Sequence, residues 1–144
     1  MQQAKAILAA ATLLKALQLL VYQAGEVIMQ VYQTADFGIE TKKDDSPVTK
    51  ADLDAHYCLI GRLAKLTPNI AIVSEEDPAS KIVPQTHNCY WLIDPLDGTK
   101  KFINRNGQFT VNLALIEDNA PSFGFVSTPI DQTLYWGGKH LGAW

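Results

Sequence analysis

The chain has 144 residues, 47% hydrophobic and 19% charged, with a formal net charge of −3. That length suits one domain with a real core, and so small a charge excludes the bulk field that grips nucleic acid or draws a protein onto an anionic membrane. The two cysteines, Cys58 and Cys89, lie far apart without a CxxC spacing; this argues against a disulfide framework or a zinc site and fits a reducing cytoplasm.

The first predicted element is a helix over roughly residues 4–32. Its run AILAAATLLKALQLLVY is interrupted by Lys15 and Gln18, and no clean cleavage site follows, so it reads as neither a signal peptide nor a membrane anchor. Leu13, Leu17, Leu20, Ala24, Ile28 and Val31 step by three and four, while Lys15, Gln18, Glu26, Gln30 and Gln33 fall largely on the other side. That is an amphipathic helix packing on a core. TADFGIETKKDDSP, 34–47, reads as a loop, with room for a short hairpin around Phe37 to Glu40. A second helix is predicted from about Val48–Ala51 to Leu66, where Thr67-Pro68 ends it.

The second half is strand-rich. NIAIVSEED (69–77) and CYWLID (89–94) read as strands separated by a polar loop with two prolines. Gly98 to Ile103 reads as a short helix, and FTVNLALIED, PSFGFVSTP and QTLYWGG as a strand meander. Helices followed by strands predict one α+β domain over 1–144, a layered fold with a mostly antiparallel sheet packed on two helices.

Two strands run into acids: Glu75 and Glu76 after AIVS, Asp94 and Asp97 after YWLI. Carboxylates at neighbouring strand ends are costly without a partner, and hard oxygens aimed at one point suit magnesium or calcium rather than zinc. In Asp94-Pro95-Leu96-Asp97 the proline fixes one φ, and a turn can bring both carboxylates and the Leu96 carbonyl to one side. Gly98 allows close approach of a ligand, and Thr99 stands where helix amides and dipole attract phosphate. Blander readings stand beside these. DPLDG also makes an exposed turn in which Asp97 caps the next helix, and two glutamates after a strand are usually solvated. Thr49-Lys50-Ala51-Asp52 matches a capping box, so Asp52 has a structural reading as good as a catalytic one. His56, His87 and His140 share no ligand spacing and read as surface or helix-face residues. Lys42-Lys43 and Lys100-Lys101 read as solvated, the second pair beside the phosphate site.

SPVTKAD, IVSEED, WLIDPLDGTKKFI and NGQFTVNLALIE, in this order and spacing, together resemble the inositol monophosphatase superfamily. The run from DPLDGTK onward is most similar to its 3'(2'),5'-bisphosphate nucleotidase branch. The resemblance covers about residues 14–144 and implies a magnesium-dependent phosphatase with the layered α/β sandwich of sugar phosphatases, holding two or three Mg2+ ions in the complete fold. It implies adenosine 3',5'-bisphosphate, a by-product of sulfate-donor use, or its sulfated precursor as substrate; the small charge, the cysteine usage and the interrupted first helix add the expectation of a cytoplasmic location and of no nucleic-acid or stable membrane partner. Inositol monophosphate and fructose 1,6-bisphosphate are alternative substrates. By matching positions, Glu75, Asp94 and Asp97 and the Leu96 carbonyl would bind metal, Asp52 and Thr99 would orient and activate the attacking water, and the Gly98 and Thr99 amides would hold phosphate.

The sequence departs from that pattern in three places. Lys101 stands where the branch usually has Glu, and Gln108 gives NGQF in place of NGEF; both make the neighbourhood less negative. The third departure is length. Family members are close to twice as long, and their second half carries a Trp-Asp motif completing the second metal site, which nothing here matches. The expectation is therefore an N-terminal portion without its C-terminal half, carrying an exposed sheet edge and apolar surface prone to self-association. A truncated, inactive metal- and phosphate-binding remnant is the competing expectation.

Overall fold

The computed structural model describes residues 2–139 and 142–144. Two helices come first, α1 (Gln2–Ala9) and α2 (Ala11–Tyr32), then a small hairpin of β1 (Glu40–Thr41) and β2 (Pro47–Val48), then α3 (Lys50–Leu66). β3 (Ala71–Ser74) passes through a 3-10 segment, Pro78–Gln85, into β4 (Cys89–Asp97) and the short α4 (Thr99–Ile103). The meander is β5 (Thr110–Glu117), β6 (Ala120–Thr128), β7 (Thr133–Gly138) and β8 (Gly142–Ala143). β3 to β8 form one six-stranded sheet in chain order, parallel between β3 and β4 and antiparallel at the other junctions.

The period-2 pattern explains which face is covered. Trp91 and Ile93 of β4, Val111, Leu113 and Leu115 of β5, and Phe123 and Phe125 of β6 are buried in one cluster. The same cluster holds Leu17, Leu20, Ala24 and Ile28 of α2 and Ala55, Leu59 and Leu63 of α3. Each such large side chain contributes about 1.5–3 kcal/mol when fully buried. Trp91 keeps its indole N–H satisfied by donating to Thr67 Oγ1 at 2.9 Å. On the other face, the 3-10 segment brings Val83 against Val73, Tyr90 and Ile116. Beyond it Leu92, Val126 and Tyr135 are 37%, 41% and 57% exposed.

Two boundaries in the helical half differ from expectation, and in the sheet the strand expected over 69–77 is only Ala71–Ser74. The first helix is broken at Ala10, whose φ of −95° and ψ of 83° are not helical. No proline or glycine marks the break; its cause is tertiary. The Gln3 and Ala4 amides donate to the Glu117 carboxylate at the end of β5, at 2.9 and 3.4 Å, and Ala4 and Ile7 bury in the core. The hairpin pairs Glu40 with Val48 and Thr41 with Pro47, so Phe37 is not in it. Phe37 instead packs on Phe102, with ring centroids 4.6 Å apart.

Candidate active site

Two features of strand pairing bring the acids to one cleft. β3 and β4 run parallel with Ser74 opposite Ile93, and the Glu75 amide donates to the Ile93 carbonyl at 3.1 Å. Glu75 and Asp94 therefore leave the same end of adjacent strands. The second feature is a bulge. Asp94 pairs with Asn112 and Asp97 with Thr110, so three steps along β4 match two along β5. An extra residue restores side-chain parity, which puts Asp94 and Asp97 on one face where a regular strand would split them. The expected turn at Asp94–Asp97 is thus a strand that continues through a bulge. Glu75, Glu76, Asp94, Leu96, Asp97, Gly98 and Thr99 line one cleft of about 350 Å3, with Lys42, Lys100 and Lys101 around it.

Gly98 is required by geometry. Its φ is +94°, and a Cβ there would lie 3.0 Å from the Gln108 carbonyl. It caps α4, whose first amides have no intrahelical acceptor. Phe102 and Phe109, from the FI and NGQF parts of the motif, are buried beneath this turn with ring centroids 5.2 Å apart. Arg105 locks it to the end of α2, donating to the Tyr32 and Thr34 carbonyls at 2.7 Å each.

Asp52 is fully buried below the cleft rather than lining it. Its two readings prove compatible. One carboxylate oxygen accepts the Thr49 amide at 2.8 Å and the Thr49 hydroxyl at 2.6 Å, completing the capping box. The other accepts the Thr99 hydroxyl at 2.8 Å. Thr99 Oγ1 also lies 3.5 Å from the Leu96 carbonyl. The cap of α3 is thereby tied to the cleft.

The Asp94 carboxylate accepts no hydrogen bond from any described residue. Burial, then the charges of Asp97, Glu75, Glu76 and Asp52, push its carboxyl up to about 7. Asp97 is better supported: Asn112 Nδ2 donates to it at 3.2 Å, and Thr110 Oγ1 donates to Asn112 Oδ1 at 3.0 Å. The described His, Cys, Asp and Glu side chains do not close on a common point as a group of three or more.

Several residues read as solvated are structured. The Glu76 side chain is only 4% exposed and accepts Lys42 Nζ at 3.0 Å. The pairing depends on the hairpin carrying Lys42 across to the β3 end, which no local pattern announces. Glu75 stays half exposed, 3.8 Å from Lys81 Nζ. His56 is buried and hydrogen-bonded to Ser74 Oγ. His87 is exposed, and His140 lies outside the described residues. Cys58 and Cys89 are free. Among the described residues no helix is long and apolar enough to cross a membrane.

This sheet, with its acids at one strand end, is the N-terminal architecture of a known group. The chain belongs to the inositol monophosphatase family, whose model matches residues 9–144. It is 50% identical over 117 residues to the 3'(2'),5'-bisphosphate nucleotidase CysQ of Salmonella typhimurium, covering 81% of this chain and 48% of that protein. The crystal structure of CysQ from Bacteroides thetaiotaomicron superposes with a TM-score of 0.75 at 35% identity, over 92% of this chain and 48% of that one. The fold also matches the extragenic suppressor protein suhB from Bartonella henselae, with a TM-score of 0.79 at 23% identity. The chain spans about half the length of the curated relatives it matches.

Proposed function

We propose that this chain carries the acidic, metal-holding part of a phosphomonoesterase site whose substrate is the 3'-phosphate of adenosine 3',5'-bisphosphate. The observation supporting it most is the pairing of a parallel β3–β4 end with a one-residue bulge, which turns Glu75, Asp94 and Asp97 toward one cleft beside Gly98 and Thr99. The substrate assignment leans on the 50% identity to bisphosphate nucleotidases.

The donor set fits magnesium by its chemistry: three carboxylates and the Leu96 carbonyl are hard oxygens. The Lys42 ammonium already sits on Glu76 as a cation would. Mutual repulsion opposes convergence of the carboxylates without a counter-charge. When bound, magnesium supplies Lewis-acid polarisation of a phosphoryl oxygen and an acidified water. The chain's own residues do the rest. Asp52 holds the Thr99 hydroxyl, leaving its oxygen lone pairs to orient a water. The Gly98 and Thr99 amides would hold the phosphate. Lys100 and Lys101 add positive charge at the rim. In-line phosphoryl transfer asks mainly for such positioning.

The test is phosphate release from adenosine 3',5'-bisphosphate by this chain, with and without magnesium, beside Asp94→Asn. Magnesium-dependent release that the variant lacks is expected; its absence with magnesium still bound would favour the binding-only remnant. The exposure of Leu92, Val126 and Tyr135 supports a further reading: we propose that the chain self-associates through this sheet face and its β8 edge. Sedimentation showing a lone monomer that binds no apolar dye would count against it.

A further inference from the structure

The buried His56 has no place in the proposed chemistry, yet it is built into the same region. It lies four residues after Asp52, on the same face of α3. Asp52 reaches Thr99 at the end of β4; His56 Nδ1 reaches Ser74 Oγ, at the end of β3, at 2.8 Å. Ser74 is 1% exposed. Its hydroxyl oxygen accepts the Glu76 amide at 3.2 Å. Its own amide donates to Ser80 Oγ at 3.0 Å, and its carbonyl accepts the Asp77 amide at 3.1 Å. Ser80 Oγ donates in turn to the Asp77 carbonyl at 2.7 Å. Glu75 and Glu76 therefore form the middle of a closed turn whose one link to the helix layer among these bonds is His56. With the ring proton on Nε2, the Ser74 hydroxyl donates to Nδ1 and keeps its lone pairs for Glu76 N–H.

We propose that His56 and Ser74 are positioning residues for the Glu75–Glu76 corner, α3 acting as a brace that sets its distance from the Asp94–Thr99 segment. This deepens the metal-holding reading above and rests on it for its functional meaning. The geometric claim is testable without metal.

The experiment measures amide hydrogen exchange along the metal-free chain, and magnesium affinity by calorimetry, for the parent, Ser74→Ala, His56→Phe and His56→Asn. Losing one such bond is expected to speed exchange at the Glu76 amide by about five- to tenfold, without the same change in β5 and the body of α3. Magnesium affinity is expected to weaken by a similar factor in Ser74→Ala and His56→Phe. His56→Asn places a polar atom where Nδ1 was and is expected to restore both readouts to within about twofold. In a Glu75→Gln, Glu76→Gln background, Ser74→Ala is expected to add no further loss of magnesium affinity. Unchanged exchange at the corner in Ser74→Ala and His56→Phe would overturn the proposal, as would acceleration spread evenly over the molecule, which marks a merely structural role. If the parent binds no magnesium while the corner alone loosens, the metal-holding reading fails and the brace stands.

Discussion

Asp52 and Asp94 are both carboxylates on one side of the molecule, yet their surroundings are opposite. Asp52 is fully buried and fully answered: Thr49 N–H, Thr49 O–H and Thr99 O–H all donate to it. Asp94 is half-buried, its carboxylate accepts no hydrogen bond among the described residues, and it lies near the charges of Asp97, Glu75 and Glu76. The first is what folding builds when it needs a carboxylate for its own sake. The second costs stability in the folded chain, and burying such a group without a partner is a signature of sites kept for a ligand.

The comparison breaks first at Asp52. Asp52→Ala leaves three donors without their acceptor and removes the helix cap, so a loss of about 2–4 kcal/mol is expected in urea unfolding. A change under about 0.5 kcal/mol would show the network to be idle. Gly98→Ala should cost about 1–3 kcal/mol, because alanine must hold a positive φ against the Gln108 carbonyl; the midpoint of the same unfolding curve reads it. Asp94→Asn should act with the opposite sign. Relieving like-charge crowding is expected to raise the stability of the metal-free chain above pH 7 by about 1 kcal/mol while abolishing stabilisation by magnesium. Destabilisation there would mean that Asp94 has a structural partner.

The same carboxylate also sets a slope. Asp94 titrates at about 7 folded against an ordinary value of 3.8. Between these values the folded state binds the extra proton, so this group's contribution is fully present below pH 4 and is lost as pH rises to 7. Metal-free stability measured across that window should fall more steeply for the parent than for Asp94→Asn. Identical slopes would place the titration elsewhere. Magnesium binding near pH 6 should release protons, since the bound form wants the carboxylate ionised.

Much of this was legible in the chain itself. The three-and-four spacing from Leu17 to Val31 specifies the helix face that packs, and the alternation in FTVNLALIE specifies the strand face that meets it, because both follow from local backbone periodicity. Thr49 and Asp52 announce the start of α3, since a capping box is a contact three residues long. The clustered motifs announced the family. The break at Ala10, the Lys42–Glu76 pair and the burial of His56 were not legible. Each depends on a group more than fifteen residues away in sequence: Glu117, the β3 end, and Ser74.

The sequence by itself determined most elements, their apolar faces and the stock of strand-end carboxylates, because propensity, periodicity and capping act within a few residues. Only the tertiary structure decided that β3 runs parallel to β4 with Ser74 opposite Ile93, and that β4 gains one residue on β5 between Asp94 and Asp97. Register is a relation between strands, and a shift of one residue sends every side chain to the other face. Without the added residue, Asp94 and Asp97 would lie on opposite faces of the sheet.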